Sequence, residues 1–210
     1  MPLLALFDPA VILPFLVAVA LVELTPGPNM GWPALSAAGR GRTAALAAVA
    51  GVTLGLAIWM LAAVVGVATL VIQWPWLFQI IRWAGVGWLI WLAWEAWRGA
   101  DTTAGEAVEG RRRDLFLKGL AANLLNPKAA VFYSALLPTF IRPGAGSTVT
   151  QALTLGGLHL VVATAIHAVI VVSAAGAGGP LLRRLEGPLA RGVMGGGILL
   201  VALWMAWETR

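Results

Sequence analysis

The sequence predicts an all-α polytopic membrane protein with six transmembrane helices, arranged as an inverted 3+3 repeat in which helices 1 and 4 are broken. Three observations favour this fold class. Hydrophobic residues make up 60% of the 210 residues and charged residues only 11%, whereas soluble domains carry about 25% charged residues. Prolines and polar residues interrupt two apolar segments at corresponding places, and two other segments share a Gly- and Trp-rich pattern.

Six apolar segments are long enough to cross a bilayer, which takes roughly 20 apolar residues in a helix. We expect the first to be a retained helix rather than a cleaved signal peptide, because no basic residue precedes Arg40. Short stretches rich in Gly, Pro, Gln and Arg separate most of the segments. The segments lie at residues 9–32, 44–72, 75–97, 118–141, 151–176 and 188–208.

These segments predict three parts of the chain: a first three-helix repeat (1–100), a cytoplasmic linker loop (101–117) and a second, inverted three-helix repeat (118–210). Basic residues set the orientation, because cytoplasmic loops are enriched in Lys and Arg. With the N-terminus outside the cytoplasm, ten basic residues fall on the inner side and three on the outer side. The inner residues are Arg40, Arg42, Arg98, Arg111, Arg112, Arg113, Lys118, Arg183, Arg184 and Arg191, and the outer ones are Arg82, Arg142 and Arg210.

An internal repeat is indicated by two pairs of segments. "GVGWLIWLAWEAW" (85–97) and "GGGILLVALWMAW" (195–207) share six identical residues at a shift of 110, and "LTPGPN" (24–29) corresponds to "LLNPKA" (124–129). Chance similarity between Gly- and Trp-rich helices is the alternative. Three crossings per repeat is an odd number, so the second half must be inserted upside down, which is typical of secondary transporters.

The prolines predict helix breaks within the membrane. Proline lacks an N–H group and clashes with the carbonyl four residues earlier, so we expect Pro26 to free the carbonyl of Val22 and Pro127 to free that of Asn123. Unpaired carbonyls are costly in lipid and must face protein or a watery cavity. A simple proline kink is the alternative for either segment. Matching breaks in two inverted halves favour a substrate site at the breaks.

Two charged residues stand beside these breaks. Lys128 lies inside the fourth segment, and its ammonium group could bind a substrate carboxylate with the help of half-helix N-termini. Glu23 is its natural counter-charge and could hold a substrate ammonium group or carry a coupled proton. A lysine extending to the interface and a purely structural Glu23–Lys128 ion pair are the alternatives.

Asparagines and histidines complete the candidate site. The asparagines could bind a zwitterion or satisfy freed backbone groups, and the histidines, eight residues apart on roughly one helical face, could relay protons or be structural. The substrate-binding candidates are Pro26, Gly27, Pro28, Asn29, Asn123, Asn126, Pro127 and Lys128, and the proton-coupling candidates are Glu23, His159 and His167.

Two local interactions are also expected. Glu95 lies among tryptophans and one turn from Arg98, which predicts an ion pair at the inner interface. Glycines spaced four residues apart allow close approach of helices in membranes. They occur in two pairs, Gly51 with Gly55 and Gly192 with Gly196.

The motifs at the two breaks resemble those of a known family. "TPGPNM" (25–30), followed by "GRGR" (39–42), resembles the first-helix signature of the LysE/RhtB lysine-exporter family, and "NLLNPKAAVFYSALLPTF" (123–140) resembles its fourth-helix signature. The resemblance covers the whole chain. It implies a bacterial inner-membrane exporter of amino acids and related small metabolites, with six helices and transport driven by the proton gradient.

The sequence thus predicts a secondary transporter, not an enzyme, that exports a small amino acid or related zwitterion across the inner membrane by proton antiport. One intramembrane Glu and one intramembrane Lys favour a net-neutral ligand. No nucleotide-binding loop or metal cluster is evident and cysteine is absent, so no cofactor and no metal are predicted. Two alternatives stay open: a membrane-embedded enzyme acting on lipid through Glu23, His159 and His167, and a passive channel or metal-ion exporter. The predicted partners are a small-molecule amino acid or analogue, the lipid bilayer and, as an option, a second copy in a homodimer, but no nucleic acid.

The charge distribution gives a testable topology. We expect both termini outside the cytoplasm, so that reporter fusions at Arg210 and within residues 101–110 report opposite sides of the membrane. If both fusions report the same compartment, the six-helix inverted arrangement is wrong.

Overall fold

The computed structural model of the chain describes residues 8–25, 27–66, 69–98, 108–184 and 188–208, and these ranges contain no β-strand. A π-helical turn, Phe132–Leu136, and a 3₁₀ turn, Leu137–Phe140, follow the helix that ends at Val131. The helices are α1 (Pro9–Leu24), α2 (Pro28–Arg40), α3 (Arg42–Val64), α4 (Leu70–Gln73), α5 (Pro75–Arg98), α6 (Val108–Leu124), α7 (Pro127–Val131), α8 (Thr148–Arg184) and α9 (Pro188–Glu208).

Within the described residues, three helices are long and apolar enough to cross a membrane: α3, α5 and the Thr148–Ala177 part of α8. A fourth crossing results if α1 and α2, which meet at an angle of 54°, form one broken span. The Arg191–Trp207 part of α9 is also apolar but is shorter than these crossings. The predicted class, a polytopic α-helical membrane protein, is confirmed. The count of six crossings stays a prediction.

Both proline-containing segments are interrupted near their prolines. The first is divided between α1 and α2, and the second between α6 and α7 at residues 125 and 126. Each second half starts with a proline at its first position, Pro28 in α2 and Pro127 in α7. A proline fits there because the first N–H groups of a helix have no partner within that helix. The predicted breaks in segments 1 and 4 are therefore present.

Some predicted boundaries are wrong. Helix α6 begins at Val108, so residues 108–117 of the predicted linker loop are helical. Asp114 and Lys118, four residues apart, form an ion pair with 2.8 Å between Oδ2 and Nζ, which supports helical structure at this place. The second segment ends at Val64 rather than at residue 72, because a turn follows in which Gly66 adopts φ of +79°. Residues 99–107 of the linker region lie outside the described residues.

Glycines bring α3 and α6 close together, as the first glycine pair predicts. A Cβ atom on Gly51 would collide with the carbonyl of Phe116, and one on Gly55 would lie 2.6 Å from Oδ1 of Asn123. The second pair is predicted wrongly, because a Cβ on Gly196 would meet nothing within 4 Å. The neighbouring Gly195 is the close contact on α9, with a Cβ position 2.9 Å from the carbonyl of Ala93.

Two buried clusters hold the helices around the breaks. The first includes Phe15, Tyr133 and Leu155, and the second includes Trp32 and Ile198. Large apolar side chains, by contrast, are exposed along the outer faces of α1, α5 and α9. Exposed apolar surface on this scale is expected of helices that face lipid.

The expected pairing of Glu95 with Arg98 is also wrong. Glu95 accepts a 2.7 Å hydrogen bond from Nζ of Lys118, which is buried between α5 and α6. Arg98 instead lies over the ring of Trp94, 4.4 Å from its centroid. A charge held between two helices is stable only when it is paired, and Lys118 supplies the nearer partner.

The glycine contacts generate a stability prediction. Gly51→Ala should destabilise the protein by about 1–3 kcal/mol, because the added methyl group meets backbone that cannot move away. Gly157→Ala is the matched control, since a Cβ there meets nothing within 4 Å. Thermal unfolding in detergent would measure both variants. Equal melting temperatures for the two would contradict the close α3–α6 contact.

Candidate functional site

A polar cavity lies where the two broken helices meet. The free space inside it is about that of a single water molecule. Three groups of side chains line it: Glu23, Thr25, Gly27, Asn29 and Met30 from the first break, Asn126, Lys128, Ala129 and Phe132 from the second, and His167 from α8.

The first break ends α1 with a tight turn. Both the N–H and the Oγ1 hydroxyl of Thr25 donate to the carbonyl of Leu21, at 3.1 and 2.7 Å. Gly27 then forms the N-cap of α2 in a fully extended conformation, and its carbonyl accepts from the N–H of Gly31 at 2.8 Å. The carbonyl of Thr25 is thereby left outside both helices and directed to another partner.

The second break is capped by an asparagine. The side chain of Asn126 accepts a 3.0 Å hydrogen bond from the N–H of Lys128, which fixes the start of α7. The N–H of Asn126 donates at 3.0 Å to the carbonyl of Asn123. The expectation that Pro127 frees this carbonyl is wrong, because the chain turns within three residues and supplies a different donor.

Lys128 connects the two breaks. Its Nζ donates a 2.9 Å hydrogen bond to the carbonyl of Thr25, a group that the end of α1 leaves available. Lys128 and Glu23 line the same cavity, as expected if two opposite charges share one polar site. The hydrogen bonds described for the Glu23 carboxylate, however, come from histidines.

Glu23 is held by both histidines of α8. Its Oε1 lies 3.0 Å from Nε2 of His159 and its Oε2 lies 3.0 Å from Nε2 of His167. All three side chains are buried, with 7% or less of each residue exposed. A third group joins them, because the hydroxyl of Tyr133 lies 3.0 Å from Nδ1 of His159. We define Glu23, Tyr133, His159 and His167 as the carboxylate–imidazole cluster.

Sequence reasoning missed Tyr133. It lies in the π-helical turn after α7, inside the segment "NPKAAVFYS", and is the chain's one tyrosine. Its position seven residues beyond Asn126 carries no polar periodicity that would single it out. The ring centroid of Phe132, one residue earlier, lies 3.9 Å from the ring centroid of His159, so this turn packs directly against the histidine.

Several buried polar atoms have no hydrogen-bond partner among the described residues. Near the helix breaks they are Oδ1 of Asn29, Nδ1 of His167 and both side-chain polar atoms of Asn123; the others are Nε1 of Trp59, Nε of Arg82 and Nε1 of Trp88. Buried polar groups are normally hydrogen-bonded, so such atoms indicate places where water or a ligand completes the site. Asn29 and His167 line the cavity, whereas Asn123 packs against Gly55 on the α3 side.

Most of the predicted site residues are brought together. The cavity wall includes six of them: Glu23, Gly27, Asn29, Asn126, Lys128 and His167. His159 and Pro127 are buried next to it, and the backbone of Pro28 starts α2. Pro26 lies outside the described residues. Over the part of the chain that the structure describes, no group of three or more His, Asp or Glu residues could hold a metal ion.

Comparison with known proteins identifies the family. The model of the LysE type translocator family matches residues 20–208. The chain belongs to this family. The matched region includes both helix breaks and the whole carboxylate–imidazole cluster, so these features lie inside a translocator fold.

Several proteins that are similar to this chain are named as efflux proteins. The chain is 34% identical over 134 residues to the homoserine/homoserine lactone efflux protein of Salmonella typhimurium, covering 61% of this chain and 64% of that one. It is 34% identical over 130 residues to the leucine efflux protein of the same organism, covering 60% and 61%. It is 29% identical over 140 residues to the threonine efflux protein of Escherichia coli, covering 62% and 68%. The match to the first two spans less than two thirds of their length, and no solved structure matches the chain.

The cap at the second break generates a prediction. Asn126→Ala should destabilise the protein by about 0.5–2 kcal/mol, because the N–H of Lys128 loses its acceptor at the start of α7. Asn126→Asp keeps a side-chain oxygen in the same place and serves as the control. Thermal unfolding in detergent compares the two. A cap role is excluded if Asn126→Ala melts at the wild-type temperature.

Proposed function

We propose that this member of the LysE type translocator family exports a small amino acid or related zwitterion across the bacterial inner membrane by proton antiport. One observation carries the proposal: an ammonium group, Lys128, and a carboxylate held by histidines, Glu23, line one cavity at the junction of two broken helices. Transporter substrate sites are found at such junctions. The names of the homoserine, leucine and threonine efflux relatives support an amino acid as the substrate.

The substrate carboxylate is assigned to Lys128. Its Nζ already lies beside the amino end of α2, where the backbone N–H groups favour a negative charge. Gly27 presents no side chain there, and even a Cβ at that position would lie 4.0 Å from Nζ. A carboxylate entering the cavity would replace the Thr25 carbonyl as the acceptor for Nζ, with a charge-assisted hydrogen bond in place of a neutral one.

Proton coupling is assigned to the carboxylate–imidazole cluster. Imidazole is the side chain that ordinarily exchanges protons near neutral pH, and intramembrane ionisable residues, carboxylates among them, mark proton pathways in transporters. Glu23 belongs to the cluster and to the cavity wall at once. A change in the proton occupancy of the cluster therefore changes the charge that a bound zwitterion meets.

Transport also needs the cavity to open, since its free space is that of one water molecule. In the proposed inverted repeat, one half rocks against the other about a fixed site. Equivalent residues of two repeats meet where a two-fold axis passes between them. The hydroxyls of Thr53 and Thr164, 111 residues apart in the sequence, lie 2.8 Å apart, which supports an axis between α3 and α8.

Two further contacts support the same axis. Ala45 packs in one buried cluster with Val171, and a Cβ on Gly156 would lie 2.5 Å from the side chain of Met60. A shift of 111 residues converts the first pair into the second. Both termini outside the cytoplasm and assembly as a homodimer remain parts of this proposal.

Reconstituted vesicles test the function. Proteoliposomes with labelled leucine, threonine or homoserine on the inside and an imposed pH gradient should move at least one of them uphill, and a protonophore should stop this movement. Lys128→Ala should weaken substrate binding roughly 10- to 100-fold, the value of a lost hydrogen bond to a charged group. Lys128→Arg keeps the charge. Arg142→Ala is the control, because it removes an exposed cation that pairs with Asp8 and does not line the cavity.

Four outcomes would contradict the proposal. Movement that only follows the concentration gradient would indicate a passive channel. Chemical turnover of lipid in detergent would indicate an enzyme. Unaltered affinity in Lys128→Ala would remove Lys128 from the substrate site, and loss of transport in Arg142→Ala as well would make the effect of Lys128 non-specific.

A further inference from the structure

The two histidines of the carboxylate–imidazole cluster differ in the partner of Nδ1 and in their position relative to the cavity. Each places Nε2 at 3.0 Å from its own oxygen of Glu23. On the other side of the ring, Nδ1 of His159 meets the hydroxyl of Tyr133 at 3.0 Å, whereas Nδ1 of His167 has no hydrogen-bond partner among the described residues. His167 also lines the cavity, and His159 is fully buried behind it.

Hydrogen-bond complementarity assigns the protons of the cluster. An ionised carboxylate can only accept, so Nε2 of both rings carries the hydrogen that is donated to Glu23. A neutral imidazole with its hydrogen on Nε2 has an acceptor lone pair on Nδ1. At His159 the hydroxyl of Tyr133 donates to this lone pair. At His167 the same lone pair is unused by the described residues.

We propose that Nδ1 of His167 takes the coupled proton and that the same lone pair accepts a hydrogen bond from the substrate ammonium group, so that proton and substrate exclude each other. His159 is a positioning residue that holds the Glu23 carboxylate. The substrate half of this inference rests on the proposed function. The order in which the histidines take up a proton does not.

Mutual exclusion follows from the chemistry of one ring atom. When a proton from the aqueous side binds Nδ1 of His167, an N–H bond forms, the lone pair is lost and the ring becomes a cation that pairs with Glu23. The substrate ammonium group then meets a donor and a positive charge in place of an acceptor. When that N–H bond breaks and the proton leaves, the acceptor is restored. The unpartnered Oδ1 of Asn29, on the same cavity wall, supplies a second acceptor that no proton occupies.

The neighbouring charges are consistent with a single exchangeable proton. Among the described residues, the ionisable groups facing His167 and the cavity are Glu23 from α1, Lys128 from α7, Tyr133 from the π-helical turn and His159 on α8 itself. Helices α2 and α3 contribute the uncharged Asn29 and Thr53 near this region. With Glu23 ionised, Lys128 charged and both imidazoles neutral, the net charge of the cluster and Lys128 together is zero. Binding of a proton makes this net charge positive, whereas binding of a zwitterion leaves it unchanged.

Nitrogen-15 NMR tests the order of protonation directly. The chain contains two histidines, so protein labelled with ¹⁵N-histidine, purified through a histidine-free tag and placed in lipid nanodiscs, gives signals from this cluster alone. The variants His159→Gln and His167→Gln each leave one ring and assign the spectrum. We expect both neutral rings to carry hydrogen on Nε2, and acidification to protonate Nδ1 of His167 before Nδ1 of His159. Earlier protonation of His159, or a neutral His167 with hydrogen on Nδ1, would overturn the proposal.

Binding measurements test the shared acceptor. The probes are labelled L-leucine, L-threonine and L-homoserine, each measured between pH 5 and 8. For a ligand that competes with one proton, the Kd should rise about tenfold for each pH unit below the titration of His167. Glutamine at position 167 keeps an N–H group for Glu23 and cannot take a proton, so His167→Gln should bind with a Kd that is independent of pH.

His159→Gln is the matched control, with the same substitution on the same helix against the same carboxylate. It should retain the pH dependence of the Kd even where its affinity is lower. If His159→Gln does not fold, Tyr133→Phe replaces it: that variant frees Nδ1 of His159, and the NMR titration should then show both rings taking up the proton. Loss of pH dependence in both glutamine variants, or in neither, contradicts the separate roles. If none of the three amino acids binds at any pH, the proposed function and the shared acceptor both fail, whereas the NMR titration still decides the proton site.

Discussion

The hydrogen bond from Nζ of Lys128 to the carbonyl of Thr25 joins the two places where the helices of this chain are broken. A broken helix leaves backbone groups without partners, and in a membrane such groups must be satisfied by protein or by water in a cavity. Here one break supplies the acceptor and the other supplies the donor. The cavity, its charges and its closeness to α8 all depend on the two breaks meeting at this point.

The proposed inverted repeat relates the helices of the two halves but does not relate the two histidines to equivalent residues. In the proposed repeat, Gly27 and Asn126 occupy equivalent N-cap positions, and α3 corresponds to α8 across the Thr53–Thr164 contact. A shift of 111 residues places Ala48 and Leu56 of α3 where α8 carries His159 and His167. In the proposed repeat, the two histidines thus have apolar counterparts on α3, so the site that they form with Glu23 occurs once rather than twice.

Close helix packing gives this site its rigidity. Gly51 and Gly119 bring the backbones of α3 and α6 into direct contact, and α6 leads into the second break. The segment pattern in the sequence predicts where these helices lie, since apolar length is a local property. It does not predict which glycine of α9 meets α5, because Gly195 and Gly196 differ only in their direction around the helix. The pairing of Glu95 with Lys118 rather than with the nearby Arg98 is decided in the same way, by the packing of two helices.

The sequence by itself determined the membrane class, the two helix breaks and the residue types beside them. Proline acts on its own backbone and on the preceding turn, so Pro127 marks the start of α7 in any context. Only the tertiary structure decided the partners. Glu23 lies far from His159 along the chain, 136 residues apart, and no local pattern indicates that it meets two histidines while Lys128 bonds to Thr25. The role of Tyr133 likewise arises only when the π-helical turn is packed against α8, because a side-chain hydrogen bond between distant segments depends on the path of the whole chain.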